Sequence, residues 1–258
     1  MNTLNVKNHI IGWLASYLET SSLDGFIIGI SGGIDSACTA MLCAETGKKV
    51  LLITMPIRQT KSEFDRAKEQ MEMMALRFPN VSIMEISLTN IFEAIENNFP
   101  KQTTDDHLSM ANTRARLRML TLYAIGQTNR CLVVGTGNKI EDFGVGFYTK
   151  YGDGGVDISP IADLMKSEVF DLAKELGVVA SIQNAKPTDG LWEDGRSDED
   201  QIGASYPDLE WAMEFTGDVS ELSIHQKNVL SIYKKLNKIN AHKMIPIPVC
   251  IVPLSVKQ

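Results

Sequence analysis

Apolar residues recur at helical spacing over the first turns of the chain, where Leu4, Ile11, Leu14, Ala15 and Leu18 share one face. The rhythm then changes to short unbroken apolar runs. Residues 25–30 and 49–54 read as buried strands, the second stopped by Pro56, and residues 81–86 and 131–135 repeat the signal. Residues 157–161 add a fifth expected strand. Helical stretches alternate with these runs, at 36–44, 62–78 with Ser62 as its expected N-cap, 88–97, and a long one at 109–128. A last helix is expected over 222–241. Such alternation predicts βαβ units, hence an α/β fold with a Rossmann-like parallel sheet covered by helices on both faces. The chain, 1–258, reads as one domain with no internal repeat. Ligands of such sheets bind beyond the carboxyl ends of the strands, here just after Ile30, Thr54 and Val134. Two stretches between the elements, 144–157 and 185–201, have the glycine and acidic content of functional loops.

Composition narrows the partners. With 25 basic and 32 acidic side chains the net charge is −7, so no global positive field recruits nucleic acid. Cys38, Cys43, Cys131 and Cys250 form no C-x-x-C pair and no zinc spacing, and all four read as buried apolar side chains of a reducing compartment. No leader-like segment opens the chain and no apolar run could cross a bilayer, so the cytoplasm is expected, without a membrane partner. The proline-rich apolar stretch at 245–254 reads as an extended packing segment.

The candidate chemistry begins after the first strand with Gly29, Ile30, Ser31, Gly32, Gly33, Ile34, Asp35 and Ser36. Glycines there let a phosphate approach the backbone, and the amides of the following helix point at it. Asp35 repels a phosphate unless a cation such as Mg²⁺ lies between them. A plain tight turn explains the glycines but not the Asp and the two Ser. The stretch is neither a G-K-[ST] loop nor a G-x-G-x-x-G fingerprint. On the long helix, Asn112 and Arg116 share a face, as do Arg114 and Arg118; a solvated basic face explains them equally well when they are taken alone. That helix is apolar almost all round beyond Arg116, which suggests burial on more than one side, including a subunit interface. The fourth strand leads into Thr136 and Glu141, the latter a hard oxygen ligand fit to join Asp35. Lys150, Asp153 and Asp157 then crowd one glycine-rich loop.

The S-G-G-x-D-S stretch resembles the PP-loop of ATP pyrophosphatases of the adenine nucleotide alpha hydrolase-like class. Together with N-T-R-A-R, G-T-G-N-K-x-E, F-Y-T-K-Y-G-D-G-G-x-D, Lys166, Pro187-Thr188, S-D-E-D and His242-Lys243, it occurs in the order found in ammonia-dependent NAD⁺ synthetases. The resemblance runs from Gly29 to Lys243 and implies a homodimeric ligase that amidates deamido-NAD⁺ with ammonia, using ATP and Mg²⁺. It implies that residues 29–36, Thr136, Lys166 and Thr188 contact ATP, and that Asp35 and Glu141 ligate Mg²⁺. Arg116, Lys150, Asp157, His242 and Lys243 would hold deamido-NAD⁺. Asp153 would orient ammonia or accept its proton. No glutaminase domain is expected in this chain. Two departures from the pattern stand out: Arg58 is the one cation of the stretch 54–59, where some members carry an Arg earlier, and Asp189 follows Thr188 in place of Ser. Asp194, Arg196, Asp198, Glu199 and Asp200 read as part of a closing loop or as a solvated acidic one. A tRNA-thiolating enzyme or an amidotransferase subunit would share the adenylation chemistry; the first usually needs sulfur-carrying cysteines and a basic surface, which this chain lacks. A nucleotide-binding paralogue without turnover is the non-enzymatic alternative, but Asp35, Glu141 and Lys166 are all present.

Overall fold

The computed structural model describes residues 1–188 and 197–257. Chain order runs α1 (Thr3–Ser21), β1 (Gly25–Gly29), α2 (Ile34–Glu45), β2 (Lys49–Thr54), α3 (Lys61–Arg77), β3 (Val81–Glu85), α4 (Thr89–Asn98), α5 (Lys101–Thr104), α6 (His107–Asn129) and β4 (Cys131–Val133). A π-helical turn, Ile140–Val145, follows, then α7 (Lys166–Leu176), α8 (Ala180–Gln183), α9 (Asp198–Ile202), α10 (Tyr206–Glu214), α11 (Ile224–Met244) and α12 (Leu254–Lys257).

The four strands form one parallel sheet, as the apolar runs predict, in the order β3-β2-β1-β4. Two cores cover its faces. One joins Leu14, Phe26, Ile28, Met41 and Leu52 to α7 through Val169 and Leu172. The other joins Ile27, Ile53 and Val133 to α6 through Leu117, Met119 and Leu122. Alternate residues of β1 and β2 thus face opposite layers, as a pleated strand requires.

Several expectations change. The fifth strand is a single parallel bridge between Val134 and Ile158. The N-cap of α3 is Thr60, whose hydroxyl accepts from the Glu63 amide at 3.4 Å, not Ser62. Among the described residues, α7 and α10 are helices that the sequence reading passed over. The stretch 245–254 does not pack: Ile247, Val249 and Ile251 are exposed, and so is Cys250, whereas Cys38, Cys43 and Cys131 are buried. Ile247 and Val249 each neighbour a proline that removes a backbone donor, so the segment leaves the end of α11 extended, with no strand partner among the described residues. No helix among the described residues is long and apolar enough to cross a membrane.

Candidate active site

A cavity of about 610 Å³ opens beyond the carboxyl ends of β1 and β4. The glycine loop forms one end. Gly32 has φ +87°, and a side chain there would strike the Glu63 carbonyl, its Cβ lying 2.4 Å from that oxygen. Inside the loop the Ser31 and Ser36 hydroxyls lie 3.1 Å apart, and the Gly33 amide donates to Ser31 Oγ at 3.1 Å. Gln59 donates to the Ser31 carbonyl at 3.0 Å and Arg66 to the Gly32 carbonyl at 3.3 Å. With the carbonyls held from behind and no side chain capping α2, the first amides of that helix are left for an anion.

Facing this loop is a buried charged trio. The Lys166 ammonium, 3% exposed, donates to Asp35 Oδ2 at 2.5 Å and to Glu141 Oε1 at 3.0 Å. Burial opposes the lysine's charge, but the two carboxylates outweigh it and hold its pKa above the ordinary lysine range. Burial also raises Asp35, against the pull of Lys166. For Glu141 burial is overcome by Lys166 and by a Tyr206 hydrogen bond, and the net shift is downward. Asn138, fully buried, orients both acids: its amide nitrogen donates to Asp35 Oδ1 at 3.4 Å, and its oxygen accepts from the Glu141 amide at 3.1 Å.

The other end is built by α6, the loop after the π-helical turn, and α11. Arg116 donates to the Lys150 carbonyl at 3.3 Å. Lys150 reaches across to the His242 carbonyl at 2.6 Å, and Lys243 to the carbonyls of Tyr148, at 2.7 Å, and Gly146. Burial lowers the Lys243 pKa. Asp153 accepts from the Thr149 amide at 3.0 Å, and the Thr149 hydroxyl donates to Asn112 at 2.6 Å, which ties the loop to α6. Surrounding protein raises the Asp153 pKa. Asp142, next to Glu141, is pushed up to about 8 by burial and by the neighbouring Glu141 and Asp153.

Of the residues singled out in the sequence, Gly29, Ile30, Ser31, Gly33, Ile34, Asp35, Ser36, Arg116, Thr136, Glu141, Lys150, Asp153, Lys166, Thr188, His242 and Lys243 line this one cavity. Gly32 shapes its loop from behind. Asp157 does not line it: its carboxylate accepts from the Val133 amide at 2.8 Å and from the Tyr123 hydroxyl at 3.0 Å. Arg58 also turns away, donating to Glu96 at 2.6 Å, whereas Arg118 and Lys186 line the cavity. Asp189, Asp194 and Arg196 lie outside the described residues. Sequence reasoning missed Asp142, Lys186 and Tyr206. Asp142 sits beside a recognised motif residue and Lys186 just before Pro187, so adjacency could have raised both. Tyr206 left no local signal.

The NAD synthase family profile matches residues 6–246. An NH3-dependent NAD⁺ synthetase of Methanococcoides burtonii is 37% identical over 253 residues, covering 94% of this chain and 93% of that protein. Its counterpart in Finegoldia magna is 37% identical over 211 residues, covering 81% and 84%. The solved NMN synthetase of Francisella tularensis superposes with a TM-score of 0.85 at 30% identity, covering 98% of this chain and 99% of that one. With a profile match along nearly its whole length and a glycine loop, charged trio and cationic far wall sharing one cavity, the chain belongs to the NAD synthase family.

Proposed function

We propose that the chain, acting as one catalytic unit, amidates deamido-NAD⁺ with ammonia at the expense of ATP. The products are NAD⁺, AMP and pyrophosphate, and the reaction is the last step of NAD biosynthesis. The observation that carries this reading is the convergence of Asp35, Glu141 and Lys166 on one point facing the amides of α2. That is the furniture of a bound triphosphate, and the cationic far wall accounts for a second, anionic nucleotide.

Asp35 and Glu141 would hold Mg²⁺. Among the described residues no three acidic, His or Cys side chains form a ready cage, but two hard carboxylates are what this ion takes when phosphate oxygens and water complete its shell. Once bound, it would neutralise charge as pyrophosphate leaves. The α2 amides and the Ser31 and Ser36 hydroxyls grip the β- and γ-phosphates, with Thr136 and Thr188 within reach of the nucleotide. Lys166, already charged, follows the developing charge on the departing oxygen. Arg116, Lys150, His242 and Lys243 hold the dinucleotide so that its nicotinate oxygen attacks the α-phosphorus. The bond to pyrophosphate breaks, and the carboxyl oxygen now belongs to a good leaving group. Ammonia then attacks the acyl carbon, AMP leaves with that oxygen, and Asp153 takes the proton that nitrogen sheds. A raised pKa makes Asp153 a better base than an ordinary carboxylate. Asp157 serves the dinucleotide indirectly, by fixing the loop that carries Lys150 and Asp153.

The likeness to an NMN synthetase favours a second reading in which the mononucleotide is the substrate. Pyrophosphate release with ATP and ammonium decides: the first reading expects a far higher kcat/KM for deamido-NAD⁺ than for nicotinate mononucleotide, and the reverse order establishes the second. No release with either defeats both. We also place a second copy of the chain on α6, where Leu108 is 61% and Leu120 66% exposed. Light scattering should then give twice the 28.5 kDa of one chain. The cytoplasm, where these substrates meet, is the proposed location.

A further inference from the structure

Tyr206 lies on α10, 65 positions from Glu141, and is 5% exposed. Its hydroxyl donates to Glu141 Oε1 at 2.5 Å, the same oxygen that Lys166 approaches, and lies 3.3 Å from Asp198 Oδ2. Its ring lies under the Lys166 ammonium, 4.8 Å from the centroid. Its own amide donates to Glu199 Oε1 at 2.8 Å. One side chain therefore touches a proposed metal ligand, the proposed phosphate lysine and the acidic helix α9.

We propose that Tyr206 is a positioning residue for the metal-and-phosphate end of the site, setting the rotamer of Glu141 with its hydroxyl and the seat of Lys166 with its ring. The proposal rests on the functional reading above. A carboxylate free to rotate about its last torsion loses entropy each time it meets a cation; a short hydrogen bond meets that cost in the fold. A phenol is protonated at neutral pH, so the hydroxyl can donate to the Glu141 carboxylate throughout. The contact with α9 lets that helix bear on Glu141 through a single ring.

The test is Tyr206→Phe, which keeps the ring and removes the oxygen. Mn²⁺ is titrated by electron paramagnetic resonance into the complex with a non-hydrolysable ATP analogue, so turnover is not needed. Mn²⁺ should bind about tenfold more weakly than in the wild type, the usual scale for losing the partner of a metal ligand. Glu141→Gln should weaken it too, and the two changes combined should cost clearly less than the product of the two, because Tyr206 acts through Glu141. If Tyr206→Phe does not fold, Glu199→Ala loosens only the backbone end of the same residue and should weaken Mn²⁺ binding about threefold. Unchanged Mn²⁺ affinity, or full additivity with Glu141→Gln, overturns the proposal. Wild-type protein that makes no NAD⁺ while the Mn²⁺ effects appear defeats the amidation reading and leaves the placement of Tyr206 standing.

Discussion

The two ends of the cavity solve opposite electrostatic problems. At the glycine-loop end, cation and anions are side chains paired with one another: Lys166 sits between Asp35 and Glu141, almost out of solvent. At the far end the cations Arg116, Lys150 and Lys243 donate to main-chain carbonyls. A carbonyl orients a cation but cannot cancel it, so these side chains keep their charge. The first end sets one cation against two carboxylates and so keeps a net negative charge, which the metal proposed above would offset. On the function proposed above, the second is an electrostatic trap for an anionic dinucleotide.

The contrast breaks most sharply at Asp35. Asp35→Asn should leave the melting curve within a few degrees of wild type and cut turnover about a thousandfold, about 4 kcal/mol of barrier. Near-normal turnover in saturating Mg²⁺ would remove Asp35 from the metal. Asp153→Asn should next separate the half-reactions. Adenylation survives, amide formation falls about a hundredfold, and rapid quench finds adenylate accumulating behind a single burst of pyrophosphate. A mutant that loses the burst instead places Asp153 in adenylation. If Asp153 merely shapes its turn, Asn tolerates that turn and turnover stays near normal.

At the trap end, Lys150→Met should raise KM for the dinucleotide about tenfold while KM for ATP moves less than about twofold. A shift confined to ATP would erase the distinction between the ends. The smallest effect is on stability. Asp142 is raised in the folded protein from the ordinary 3.8 to about 8. The folded state then binds the extra proton, and the stability this provides is lost as pH rises from about 4 to 8. In chelator, Asp142→Asn should match the wild type at pH 4 and melt a few degrees higher at pH 8.5. Melting curves that stay parallel across that range would show the Asp142 carboxyl to be well solvated.

Much of this was legible in the chain itself, for a physical reason. A parallel strand buried on both faces must be a continuous apolar run, so β1, β2 and β4 announce themselves. A tight glycine turn into a helix must place its small and polar residues within one turn, so 29–36 reads locally. The helix α7 is equally legible, since Val169, Leu172, Ala173 and Leu176 keep helical spacing behind the motif residue Lys166. Tyr206 was not readable. It meets its partners only when α10 folds back, and one Tyr beside one Pro carries no pattern. The stretch 245–254 shows the converse error. Its apolar content argued for packing, yet whether an extended segment finds a surface is decided by what stands opposite, and nothing in composition records that.

Asp157, placed outside the cavity, has a use at the bench. The Val133 amide donates to its carboxylate at 2.8 Å, at the carboxyl end of the edge strand β4 and beside the loop that carries Lys150 and Asp153. A charge-assisted bond of that kind deshields the amide proton and slows its exchange. A single ¹⁵N-labelled valine resonance would therefore serve as a spectroscopic needle for the whole loop. It would shift if ligand binding changes the loop and broaden if the loop loosens, and it could be read without any chemistry taking place.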